Sequence, residues 1–212
     1  MDPADLDPGW ARLASEQSSG SGVATHLLVT AVRETFEECG VLLARDQSGQ
    51  PCLPELVASL GPLRQRTQAG QSDGFLAGLS HHCLRPAWED LHFCAHWVTP
   101  EGMPRIFDTR FFLALLPTGQ LPSRDEGEEL ESLRWVAPDA ALAEAVRGEA
   151  LLLPPTRAVL ENLAAYKSAA DALQATATAT VHRVQPQLEE VTGTRYPGLD
   201  VTVLKPTSEN QD

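Results

Sequence analysis

Three glutamates and one arginine lie close together in the stretch AVRETFEECGVLL, residues 31–43. Glu34 comes three residues before Glu37 and four before Glu38, so a helix would place the three carboxylates on neighbouring positions of one face. Like charges at this spacing repel each other, and near the C-terminal end of a helix they also oppose the helix dipole. Arg33 is the one basic residue in the stretch. The pattern indicates either a solvated helix face or a site in which a cation relieves the repulsion.

A divalent cation would resolve this conflict. Mg²⁺ prefers oxygen ligands and usually combines one or two carboxylates with water and substrate phosphate oxygens. Enzymes acting on phosphate esters or anhydrides use such ions to neutralise charge, while a carboxylate activates water. The residue types and spacing are therefore typical of an enzyme that acts on a phosphate ester or anhydride.

The composition excludes several other classes of protein. The 212-residue chain has 42% hydrophobic and 21% charged residues, as ordinary globular proteins do. Its net charge of −13 argues against a duplex nucleic-acid binder, which needs a basic surface to neutralise phosphates. No apolar run approaches the about 18 residues of a membrane span, and the N-terminus lacks a signal pattern. With four cysteines and no CxxC pair, we expect a cytoplasmic protein with reduced thiols.

The glutamates need a helix to hold them, and the surrounding sequence predicts one. Apolar residues recur at three- and four-residue steps from about Thr25 to Cys39, with Gly40 placed as the C-terminal cap. Two or three short helices are predicted in residues 46–90, broken by Gly and Pro. Further helices are predicted at DAALAEAVRG and at PPTRAVLENLAAY, the latter with Thr156 as its N-cap and a stripe that buries Val159, Leu160 and Leu163.

Strands are predicted between these helices. VLLAR reads as a strand or an extended exit from the glutamate helix, and LHFCAHWVTP, IFDTRFFLALLP and ESLRWVAP carry strand-like patterns. Trp97 and Trp135 are expected on strands in the core. Short strands and turns are expected in the tail. The mixture predicts an α/β (α+β) fold in a single domain.

The stretch from Arg33 to Val41 resembles the second half of the Nudix box, whose pattern is R-E-(apolar)-x-E-E-x-G-(apolar). DPADLDPGW, TPEGMPRIFDTRFFLA, GEELESLRWVAPDAAL and LPPTRAVLENLA resemble, in that order, segments of a bacterial Nudix branch related to the mammalian peroxisomal coenzyme A diphosphatases. This resemblance covers most of residues 1–165. It implies a Nudix-like α/β/α sandwich with a mixed sheet. The Nudix domain would cover residues 1–170 with a helical insert at about 46–90, and residues 171–212 would extend the same domain.

The resemblance also implies roles for the box residues. Glu37 and Glu38 would bind Mg²⁺ or Mn²⁺, and Glu34 would bind metal or act as the base that orients or deprotonates water. Arg33 would orient the carboxylates through a charge-assisted contact.

Three residues outside the box are further candidates. Glu128 or Glu131 would supply one more acidic ligand or base by the same resemblance, the alternative being that both belong to an acidic surface loop. Arg110 could meet a substrate phosphate by a bidentate contact, or it could form a strand-fixing pair with Asp108.

The first half of the two-part motif has no counterpart in the printed sequence. In the family an FPGG stretch and one or two core strands precede the DPAD segment, whereas this chain starts at Met1-Asp2-Pro3-Ala4-Asp5. We therefore expect a fragment, a truncated reading frame or a shortened protein. Missing strands would expose a sheet edge, which favours a homodimer.

Two functions follow from the family resemblance. The first is hydrolysis of the diphosphate linkage of a nucleoside diphosphate derivative, with coenzyme A or an acyl-CoA as the leading substrate. The second is a Nudix-fold module with an impaired site that binds a nucleotide or a partner protein. A third class, an interaction protein with a merely acidic surface, is opposed by the four ordered segments.

Overall fold

The structure is a computed structural model that describes residues 23–71, 74–123, 132–187, 195–196 and 199–202. It divides into two compact units, each described by itself below. The described parts of Met1–Leu91 and Ala114–Arg134 belong to the first unit, and those of His92–Leu113 and Trp135–Asp212 to the second. Among the described residues, no helix combines the length and the apolar character needed to cross a membrane.

The first unit is built around the glutamate helix. Its described elements are α1 (Thr25–Cys39), β1 (Ala44–Asp46), α2 (Pro54–Ser59), α3 (Gly61–Gln68), α4 (Gly74–His81), β2 (Leu84–Pro86) and a 3₁₀ turn (Trp88–Asp90). The predicted bounds of α1 are confirmed, and the two or three short helices predicted in residues 46–90 are the three helices α2, α3 and α4. β1 pairs with β2 in antiparallel register.

The predicted apolar stripe of α1 forms the core of this unit. Leu28, Val32 and Phe36 are buried at three- and four-residue steps, together with Val29. Phe36 meets Phe75 of α4 with ring centroids 6.3 Å apart. Burying each such side chain stabilises the fold by about 1.5–3 kcal/mol. The stripe fixes the rotation of α1, so Glu38 is exposed and Glu34 half-buried, while Glu37 is buried next to Phe36.

The second unit is a small mixed sheet with helices. Its elements are β3 (His92–Val98), β4 (Asp108–Leu113), α5 (Pro138–Val146), α6 (Pro154–Leu163), α7 (Ala169–Thr178), β5 (Arg183–Val184), β6 (Arg195–Tyr196) and β7 (Leu199–Thr202). β3 pairs with β4 antiparallel and with β5 parallel, which makes the sheet mixed. α6 and α7 both pack on β3. The predicted mixed α/β class is therefore confirmed.

Two of the predicted strands differ from the observed ones. VLLAR becomes a strand only at Ala44, because the chain turns just before it: the Ala44 N–H donates to Leu42 O at 3.1 Å, and residues 41–43 belong to no strand. The stretch ESLRWVAP forms no strand over its described residues 132–137, and Trp135 is 76% exposed there instead of lying in the core. An alternating pattern needs a neighbouring strand to complete its hydrogen bonds, and none pairs with this segment in the described part of the chain.

The start of α6 also differs from the prediction. Thr156 is not the N-cap, since the helix already begins at Pro154 with Leu153 at the cap position. Proline fits the first helical positions because its missing N–H would have no partner there. The predicted stripe Val159, Leu160 and Leu163 is half-buried rather than fully buried.

Candidate active site

The last two turns of α1 bring together the four box residues that the sequence predicts as the site. Arg33 donates from Nη1 to Glu37 Oε2 at 2.5 Å and also pairs with Glu34. Burial alone would lower the pKa of Arg33, but its hydrogen bond to Glu37 and the charges of Glu34 and Glu37 outweigh this effect and raise that pKa. The guanidinium therefore stays charged and holds two carboxylates in place.

Glu37 is the buried carboxylate of this group. Its side chain is 10% exposed, against 46% for Glu34, while Glu38 is exposed. Glu37 Oε1 is buried and has no hydrogen-bond partner in the described part of the chain. An unpartnered buried oxygen is costly, by about 1–3 kcal/mol or more. Such an oxygen has the chemistry of an open ligand position for a hard cation.

The residues therefore fit a divalent cation in two respects. Their donor atoms are carboxylate oxygens, and Glu37 Oε1 has no hydrogen-bond partner among the described residues. Among the described residues, however, no group of three or more His, Cys, Asp or Glu side chains is arranged closely enough to hold a metal. Arg33 pairs with two of the three glutamates in this arrangement. The ligand set Glu34, Glu37 and Glu38 stays a prediction.

Gly40 ends α1 and turns the chain away from the carboxylates. Its φ of 70° lies in the left-handed region, which glycine adopts without a Cβ penalty, and its N–H donates to Phe36 O at 3.0 Å. The predicted C-cap is thus confirmed. Sequence reasoning missed the partners of this helix end: Arg64 and Gln68 of α3 donate to its last carbonyls.

Gln120 holds the segment that follows Gly40. Its buried amide accepts from the Leu42 N–H at 2.9 Å and donates to Leu42 O at 3.0 Å. The side chain thereby gives the buried Leu42 backbone the two bonds that a neighbouring strand would otherwise supply. Nothing in the linear pattern around Gln120 predicts this contact, which spans 78 residues of sequence.

The candidates outside the box have separate outcomes. Arg110 lies on β4 in the second unit and donates from Nη1 to Asp108 Oδ1 at 2.8 Å, so the strand-fixing pair is present. A hydrogen bond from His96 and the charge of Arg110 lower the pKa of Asp108. A phosphate-binding role for Arg110 stays a prediction. Glu128 and Glu131 lie outside the described residues.

Comparisons with known proteins point to one family. The NUDT19 Nudix domain matches residues 3–162. The acyl-coenzyme A diphosphatase NUDT19 of Gallus gallus is 30% identical over 158 residues, which cover 68% of this chain and 42% of that protein. The Homo sapiens protein of the same name is 32% identical over 153 residues, covering 68% of this chain and 40% of that protein. The chain thus spans about two fifths of the length of these curated relatives.

A solved structure agrees with the sequence matches. The crystal structure of a NUDIX hydrolase from Alicyclobacillus acidocaldarius superposes with a TM-score of 0.57 at 35% identity, covering 70% of this chain and 65% of that one. The family resemblance drawn from the box residues and the ordered segments is confirmed. The chain belongs to the Nudix hydrolase family, in the branch represented by the NUDT19 Nudix domain.

Proposed function

We propose that this protein is a Nudix hydrolase that cleaves the diphosphate linkage of coenzyme A or an acyl-CoA with Mg²⁺ or Mn²⁺. The single observation that carries the proposal is the carboxylate turn of α1, where buried Glu37 keeps one oxygen unpartnered beside Arg33. The chicken and human relatives that carry the name acyl-coenzyme A diphosphatase support the substrate class. The likeness covers only part of those proteins, so their activity enters here as a proposal.

Each box residue has a distinct role in this reaction. Glu34, Glu37 and Glu38 would hold the cation, which when bound supplies positive charge for the diphosphate oxygens. Glu34, the more exposed of the two carboxylates that Arg33 contacts, would orient a water or take its proton. Arg33 would keep both carboxylates in one orientation, because its two contacts fix them relative to each other.

The bonds that change are those of a simple hydrolysis. The water oxygen forms a bond to one phosphorus of the diphosphate, and the bond from that phosphorus to the bridging oxygen breaks. The bridging oxygen leaves on the other phosphate, and the water proton passes to Glu34 and then to solvent. With coenzyme A the two products would be adenosine 3′,5′-bisphosphate and 4′-phosphopantetheine. Arg110, Glu128 and Glu131 remain proposed as a phosphate contact and as additional acidic groups.

Turnover of coenzyme A and acetyl-CoA, followed by chromatography and mass spectrometry with and without Mg²⁺ or Mn²⁺, tests the proposal. Glu37→Gln should lower turnover by about 10²-fold or more, because it removes the charge on the one buried carboxylate of the turn. Glu55→Gln, an exposed glutamate on α2 in the same unit, is the matched control and should leave turnover unchanged. Equal turnover by a folded Glu37→Gln protein would contradict the assignment.

A second candidate function is nucleotide binding without turnover. It is favoured by the arrangement in which Arg33 already pairs with two of the three glutamates. Calorimetric titration with coenzyme A distinguishes the two functions. Binding in the presence of metal, with no product after prolonged incubation, would favour the binding module over the enzyme.

Homodimerisation is a separate proposal about assembly. In the sheet order β4-β3-β5, β4 has a strand neighbour on one side within the described residues. An edge strand of this kind can pair with a second copy. Light scattering after size-exclusion chromatography should give twice the monomer mass, and a monomeric mass at micromolar concentration would contradict the proposal.

A further inference from the structure

Arg64 is a buried arginine that docks on the C-terminal end of the glutamate helix. It is 5% exposed and belongs to α3 in the insert. Its Nε donates to Glu37 O and its Nη2 to Glu38 O, each at 3.0 Å. The same guanidinium reaches Ser123 O at 3.0 Å and Ser123 Oγ at 3.2 Å. The Arg64 side chain thus hydrogen-bonds to the backbone of the predicted metal ligands Glu37 and Glu38 and to that of Ser123, 59 residues later in the sequence.

The charge of Arg64 acts where α1 has an excess of negative charge. The C-terminal end of a helix carries a partial negative charge from its unpaired carbonyls, and here the box glutamates add to it. A guanidinium cannot lose its proton, so burying it is costly unless its donors are satisfied. At this position the carbonyls of Glu37 and Glu38 satisfy donors of Arg64, and its charge offsets their dipole. Gln68 adds a second donor to Glu37 O at 2.6 Å.

The glycine of the box leaves the space that Arg64 occupies. A Cβ on Gly40 would lie 2.9 Å from Arg64 Nη1 and 2.6 Å from Ser123 Oγ. Both distances are far shorter than a carbon normally keeps from a side-chain nitrogen or oxygen. Gly40 therefore serves the turn of the chain and also the close approach of Arg64.

We propose that Arg64 is a positioning residue for the cation site and sets the affinity of the carboxylate turn for a divalent ion. The inference rests on the proposed function, because it takes Glu37 and Glu38 as ligands. Arg64 contacts the backbone carbonyls of both residues, so it would act on the ion through them. Fixing the carbonyls of both residues fixes where their side chains start from, so loss of Arg64 would leave the ligands present but loosely held.

The test measures Mn²⁺ affinity directly, by electron paramagnetic resonance titration of the free ion. Arg64→Met keeps the apolar stem and removes the charged fork, and it should weaken Mn²⁺ binding about 10–100-fold, as loss of a group that orients metal ligands usually does. Arg64→Lys keeps the charge without the fork, so its affinity should lie between those of Arg64→Met and the wild type. Arg66→Met, at an exposed position of the same helix, is the matched control and should bind as the wild type does.

A merely structural role for Arg64 makes a different prediction. It would lower the melting temperature while the folded protein kept its Mn²⁺ affinity, and that result would overturn the inference. If Arg64→Met fails to fold, Gln68→Leu decides, since it removes one donor to Glu37 O and should weaken binding in the same direction but less. Unchanged affinity in a folded Gln68→Leu protein would then overturn the inference.

The proposed function and this inference fail in distinguishable ways. A wild-type protein that does not bind Mn²⁺ would contradict both. A wild-type protein that binds Mn²⁺ and hydrolyses coenzyme A, with Arg64→Met binding equally well, would overturn the positioning role alone. If Arg64 positions the ligands, saturating Mn²⁺ should restore most of the turnover that the Arg64→Met variant loses at limiting Mn²⁺.

Discussion

Replacing Gly40 by alanine should destabilise the protein through two separable effects. The first is backbone strain, because Gly40 has a φ of 70° and an L-residue in that region costs about 1–2 kcal/mol. The second is steric, since the new methyl group would lie 2.6 Å from Ser123 Oγ and 2.9 Å from Arg64 Nη1. Displacing the hydrogen bond between those two groups costs about 1–2 kcal/mol more. The expected loss in the free energy of unfolding is therefore about 2–4 kcal/mol.

Gly49 offers a control that separates the two effects. It has a φ of 81°, and a Cβ built on it meets nothing within 4 Å. Gly49→Ala should therefore lose only the strain energy, about 1–2 kcal/mol. For a chain of this size, each kcal/mol shifts the melting temperature by about 2–4 °C. The expected decrease is about 4–16 °C for Gly40→Ala and about 2–8 °C for Gly49→Ala.

Differential scanning calorimetry and urea unfolding at constant pH measure both variants. The structure predicts that Gly40→Ala loses clearly more stability than Gly49→Ala. Equal losses would refute the close approach of Arg64 to Gly40. No loss in either variant would refute the left-handed backbone at both positions.

Further predictions concern packing, pH and thiol chemistry. Gly78→Ala should lower the melting temperature, because its Cβ would lie 2.5 Å from Leu63 Cδ1 in the core. Alanine normally stabilises a helix interior relative to glycine, so a rise in the melting temperature would contradict this packing. Although burial would raise the pKa of Glu89, hydrogen bonds from Arg85 and the nearby arginine charges lower it below the ordinary value. A depressed carboxyl pKa contributes stability above the unfolded pKa that is lost as pH falls through the folded pKa, so Glu89→Gln should flatten urea stability against pH below about 4.5. Burial raises the pKa of the Cys52 thiol to about 11. The exposed Cys83 should therefore react with an aromatic disulfide reagent at pH 8 well before Cys52 does. Mass spectrometry of the labelled protein over time gives the order in which the two cysteines react.

The glutamate helix could be predicted from the sequence because two independent signals agree on it. The apolar stripe and the C-terminal Gly40 both indicate one helix with one cap, and α1 has those bounds. The short helices α2, α3 and α4 could be predicted because Gly and Pro separate them. Local signals of this kind do not depend on distant parts of the chain.

The sequence predictions fail where the local structure depends on a part of the chain that is distant in sequence. The alternating residues before Ala137 form no strand, since an alternating pattern does not say whether a neighbour exists to pair with. Arg64 was missed although Leu60, Leu63 and Thr67 place it on the buried stripe of its helix. An arginine at a core position is a signal that a helical wheel could have found. The identity of its partner, the end of α1, depends on the tertiary fold.

The most direct test of the central claim follows the oxygen of water during turnover of coenzyme A in H₂¹⁸O with saturating Mg²⁺. Hydrolysis at the carboxylate turn predicts one ¹⁸O atom in one of the two phosphate products of the wild-type protein. The folded Glu37→Gln variant should incorporate label more slowly, by about 10²-fold or more. Intact coenzyme A with the wild-type protein, or equal labelling by Glu37→Gln, would contradict the claim that α1 carries a hydrolytic site.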